Sequence, residues 1–121
     1  MTLFEAQDHL EHEIGSRLPG IAVQDNLVSK PKSFPCIVIE PDGSRLINDA
    51  GGCSYSGEQD FVLWVIYAFS VSFRESREAM AEMLDRILET PRFYANDRVE
   101  YGVDLVWDTR CVIAKVQGRV A

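Results

Sequence analysis

Over residues 59–73 every second residue is apolar: Phe61, Leu63, Val65, Tyr67, Phe69, Val71 and Phe73 fall on one side of an extended chain. Strict alternation of this kind predicts a β-strand with one face on a core. The other side reads Val62, Trp64, Ile66 and Ala68, then Ser70 and Ser72, so half of it needs cover as well. At about 3.3 Å per residue a strand of about thirteen residues spans roughly 43 Å, whereas a compact domain of this length is roughly 35 Å across. The strand is therefore expected to bend or to reach past its own domain. Its Trp64 and Ile66 face is covered either by a neighbouring subunit or by a loop or helix of the same chain.

A helical period follows the alternation with no room for a linker. Ala79, Met80, Met83, Leu84, Ile87 and Leu88 form one wide apolar stripe, with Ser76 as the expected N-cap, Glu78 in the next turn and Pro91 as the stop. A first helix is expected over residues 2–17 from Leu3, Leu10, Ile14 and Leu18, with Thr2 as N-cap and Pro19-Gly20 as its end. Between the helices, residues 21–23 are a short apolar piece, 26–33 a polar loop, and 34–40 an apolar strand entered through Pro35 and bounded by Pro41. Asp42-Gly43 is a tight-turn signal, after which Arg45, Leu46 and Ile47 return as a strand and Gly51, Gly52 and Gly57 free the backbone. Residues 41–58 thus read as a long, mobile excursion. Two closing strands, 99–107 and 110–120, meet at Asp108-Thr109. This order predicts an α+β fold: a mainly antiparallel sheet with a long central strand, an N-terminal helix and a second helix packed on one face. Residues 1–121 read as one domain without repeat or linker.

Composition narrows the function classes. Twelve basic against nineteen acidic residues give a net charge of −7, which opposes binding to a phosphate backbone. No apolar run reaches the length of a membrane span, and the N-terminus MTLFEAQDHLEHE lacks the parts of a secretory signal, so the cytoplasm of the producing cell is expected. Cys36, Cys53 and Cys111 show no CxxC or CxxH spacing and read as reduced thiols.

Candidate chemistry is sparse. His9, His12 and Glu13 come nearest to a metal constellation, with Glu5 one turn earlier, but helical zinc motifs pair histidines four apart and these are three apart. A solvated acidic helix face explains them. Cys53 lies in the glycine-rich excursion with no histidine placed beside it, and residues 51–57 lack the lysine and following helix of a phosphate cradle. Asp104 and Asp108 alternate as solvent-facing strand residues do. No catalytic set, metal site or cofactor site is expected.

The N-terminal helix, the 34–40 strand and the run FVLWVIYAFSVSFRESREAMAEMLDRILETP resemble the tail-terminator or tail-completion proteins of long-tailed bacteriophages. The resemblance covers nearly the whole chain in element order. It rests on pattern, without an invariant signature. It implies a non-enzymatic virion protein: a homo-oligomeric, usually hexameric ring that caps the tail tube, ends its polymerisation and offers the head-joining surface. Its implied partners are the tail tube protein and a head-completion or neck connector protein, its place the tail end or neck of the virion after assembly in the host cytoplasm. Candidate subunit or partner contacts are Trp64 and Ile66 on the long strand, and Arg45, Leu46 and Tyr55 in the excursion. The acidic balance would suit a channel through which DNA slides without sticking. A head-closure or neck connector protein is an alternative. A small dimeric ligand-binding or regulatory α+β domain is one of another class, and an enzyme using Cys53 or the His9 to Glu13 cluster a third.

Overall fold

The computed structural model describes residues 1–44, 47–49, 52–54, 57–69 and 72–121, with backbone alone at 47–49 and 52–54. It is an α+β fold in which two helices cover one face of a five-stranded sheet. The elements are α1 (Leu3–Arg17), β1 (Ala22–Gln24), β2 (Cys36–Ser44), β3 (Ile47–Asp49), β4 (Gly52–Ser54), β5 (Gln59–Ala68), α2 (Phe73–Leu88), β6 (Phe93–Val106) and β7 (Thr109–Val120). The sheet order is β1-β2-β5-β7-β6, parallel only between β1 and β2, and β3 and β4 form a separate antiparallel pair.

Both helices begin where a hydroxyl satisfies a backbone N–H that the first turn leaves orphaned. Thr2 Oγ1 accepts from Glu5 N at 3.2 Å, and Ser72 Oγ accepts from Glu75 N at 3.1 Å. The second cap corrects the expected one. Ser76 is buried one turn inside α2 and donates to the Ser72 carbonyl, so the Ser72-x-x-Glu75 spacing marks the start. For the same reason β5 stops at Ala68 although the alternation runs to Phe73, because Phe73 is the first residue of α2.

Alternation on the helix-side face packs Ile37, Ile39, Phe61, Leu63, Val65, Val112, Ala114, Val116 and Val120 against Ala6, Leu10 and Ile14 of α1 and Met80, Leu84 and Ile87 of α2. Two further boundaries differ from expectation. Pro41, Asp42 and Gly43 make no turn; β2 runs through them to Ser44 across a bulge that lets β2 follow β5 to Gln59. β6 begins at Phe93 instead of near residue 99, since a second irregularity between Ala95 and Val99 breaks the alternation that would have revealed it. The β6–β7 turn is Trp107-Asp108, both at positive φ, which is the two-residue geometry that matches strand twist.

The opposite face carries a smaller cluster. Cys36, Val38, Ile66 and Cys111 are buried there beneath Ala22, Phe34, Trp64, Val106, Trp107 and Ile113, with the Phe34 and Trp107 rings 6.2 Å apart. Burial, and secondarily the neighbouring Cys111, push the Cys36 thiol from 9.0 up to about 11; burial also raises Cys111. Above pH 9.0 the unfolded chain has released a thiol proton that the native chain still holds, so stability falls as pH rises towards 11. The expected result is a urea midpoint that declines between these values, with a shallower decline in Cys36→Ala. Equal slopes for parent and variant would contradict it.

Candidate assembly interface

Among the strands whose side chains are described, the longest is the least covered. β6 has 14 residues and ends the sheet, and among the described residues no strand lies beyond it. An edge of this length offers a row of unpaired N–H and C=O groups. On the helix side of its distal half, Tyr101, Val103 and Leu105 pair with Ala114, Val112 and Arg110 of β7, and are 58%, 49% and 65% exposed. A shallow groove of about 190 Å³ between Tyr101 and the Arg77, Met80 and Ala81 side of α2 adjoins this stripe. The other side of the same half presents Glu100 and Asp104, both exposed and without an ion pair among the described residues. Alternating apolar residues that cover a core elsewhere in the sheet here face solvent.

The predicted contact residues divide. Ile66 is 1% exposed within the chain's own second cluster. Trp64 is half-buried: its indole N–H donates to Glu40 at 2.7 Å and the Lys115 ammonium lies 5.4 Å from its ring. Local elements thus supply much of the cover that the two-faced strand requires. Arg45, Leu46 and Tyr55 lie outside the described residues, as does the side chain of Cys53. Sequence reading missed the exposure of Tyr101, Val103 and Leu105, because alternation looks the same on a buried strand and a bare one.

The excursion is an arm built on the β2–β5 hairpin. Ser44 and Gln59 face each other at its root, and between them in sequence β3 pairs with β4. Gln59 is fully buried; it accepts from Ser44 Oγ and donates to the Met1 carbonyl at 3.2 Å, and that carbonyl also accepts from Gly57 N at 3.0 Å. The chain's first residue is therefore tied to the arm's root. Near this end, Asp42, Asp60, Asn96, Asp97 and Arg119 line a polar cleft of about 400 Å³, and Arg119 meets Glu58 at 3.4 Å.

The residues nearest to metal chemistry are engaged otherwise. His9 Nε2 lies 2.7 Å from the Pro91 carbonyl and joins α1 to the end of α2. Glu13 is held by Arg17 at 2.6 Å, and that bond keeps its carboxyl below the usual range. The described residues bring together no group of three His, Cys, Asp or Glu side chains able to hold a metal ion. No described helix is long and apolar enough to cross a membrane.

The chain superposes on a chain of a structure titled "Virion of native gene transfer agent (GTA) particle", with a TM-score of 0.56 and 18% sequence identity. The two share a fold. The match covers 98% of this chain and 94% of the other. No family model and no curated protein matches the sequence.

Proposed function

We propose that this chain is a non-enzymatic structural subunit of a phage-like virion. More specifically, it closes with further copies into a six-membered ring on the tip of the tail tube, ends tube polymerisation and offers a surface to a head-completion or neck connector protein. The observation that carries the proposal is the open β6 edge with its exposed Tyr101, Val103 and Leu105, on a fold shared over almost its whole length with a virion chain. A monomer has no evident use for such an edge and would risk uncontrolled pairing. A cyclic assembly buries it, because each heterologous contact joins one side of a subunit to a different side of the next.

The arm suits contact with a neighbouring ring. Its root is fixed by Gln59 and Met1, so a partner can engage it without disturbing the core. Replacing residues 45–58 by Asn-Gly should leave a folded chain, since Ser44 and Gln59 are already cross-strand partners and a two-residue turn can join them. Added to polymerising tail-tube protein, the parent chain is expected to shorten the tubes and cap their tips, and the arm-less variant to leave tube length unchanged. Tubes that grow equally long with and without the parent chain would refute the terminator role. Binding to a neck connector without arrest of the tubes would move the chain to the head-closure position.

A further inference from the structure

The exposed large apolar residues are not scattered. Among the described residues, apart from Phe4 and Leu88 on the helices, they form two groups: Tyr94, Tyr101, Val103 and Leu105 on β6, and Leu27 with Val28 on the segment that leaves β1. β6 and β1 are the two opposite edges of the sheet. Val28 is 90% exposed, and it is held in place: the Asn26 side chain accepts from Val28 N at 3.0 Å and Ser29 N at 2.8 Å, while Gln24 donates to the Asn26 and Ser29 carbonyls. A projecting apolar side chain fixed in this way loses little freedom on docking.

Charge separates the two groups in the same sense. Next to Val28 stand Lys30 and Lys32, two of the chain's three lysines, both exposed and without an ion pair among the described residues. On the other sheet face of the same stretch of β6 stand Glu100 and Asp104, also exposed and without an ion pair among the described residues. A basic, apolar-tipped segment at one edge therefore complements an acidic, apolar-striped strand at the other. Two different surfaces that fit each other on one molecule generate a head-to-tail contact, which repeats and forms a ring where the rotation between copies closes.

We propose that the 27–32 segment of one copy docks on the β6 edge of the next. Val28 and Leu27 pack on Val103 and Leu105 on the helix side of that edge, and the segment crosses the edge so that Lys30 and Lys32 face Glu100 and Asp104 on its other side. This assignment rests on the ring reading above and names the surfaces that join its subunits.

The test is disulfide trapping in a Cys53→Ser background, combined with charge reversal. Val28→Cys with Leu105→Cys in one chain should oxidise to a ladder of linked chains. A mixture of the two single variants should stop at two chains. Lys30→Glu with Lys32→Glu should raise the concentration for half-assembly at least tenfold. Adding Glu100→Lys and Asp104→Lys to that chain should restore assembly, which a merely misfolded variant could not do. A ring mass with no cross-link, or one untouched by reversal, overturns this pairing and leaves the ring standing. A parent chain that is monomeric at every concentration overturns both, and a doubly substituted chain whose products stop at two overturns the head-to-tail arrangement.

Discussion

Exchanging Val103 and Leu105 together for lysine is expected to abolish self-assembly while the chain stays folded. Both side chains are about half exposed on an edge strand, so the substitution removes little from the core. Surface and edge positions of this kind cost about 1 kcal/mol or less each. The same side chains would be the apolar centre of the subunit contact. Fully burying a Val or Leu is worth about 1.5–3 kcal/mol, so losing the exposed half of both removes on the order of 2–3 kcal/mol, or about one to two decades of affinity. The new ammonium groups also carry the sign of Lys30 and Lys32 opposite. Thermal melting and sedimentation of the same sample separate the two effects. Unfolding would show that these side chains serve the monomer, and an unchanged assembly would show that β6 is not the contact.

Gly118→Ala is expected to produce the largest loss of monomer stability. A Cβ there would lie 2.5 and 2.6 Å from the Phe93 ring and 2.8 Å from the Tyr94 carbonyl oxygen. The ring belongs to the helix-side core and the carbonyl to the backbone of β6 beside its irregularity, so neither can yield cheaply. Overpacking of this kind costs about 2–3 kcal/mol, roughly 8–12 °C in Tm for a chain of this size. Gly102 is the control, since nothing lies within 4 Å of its Cβ position and alanine there should be neutral or slightly stabilising. Equal Tm values for the two variants would contradict the close-approach role of Gly118.

The helices, the central strand and the antiparallel order were legible because period and burial agree along them. The Leu10 and Ile14 stripe and the Met80, Met83, Leu84 and Ile87 stripe both face the sheet. What was hidden depended on pairings that local pattern does not encode. Asp42-Gly43 has turn chemistry, yet the bulge lets β2 absorb it while pairing with β5. Ser76 has cap chemistry, yet Ser72 stands one turn earlier with Glu75 at the capping-box spacing. The need to cover Trp64 and Ile66 was correctly signalled by apolar residues on both faces. Phe34, Trp107 and Cys36 meet much of that need through contacts distant in sequence. The uncovered surface fell instead on β6, where only sheet order tells an edge strand from a central one.

The ring is tested most directly by the absolute mass of the parent chain in solution, from light scattering coupled to size exclusion over a range of concentrations and salt. The expected result is a species of six chains that weakens at high salt, where screening blunts the Lys30 and Lys32 contacts. A two-chain species that persists at every concentration, or a monomer throughout, would contradict it.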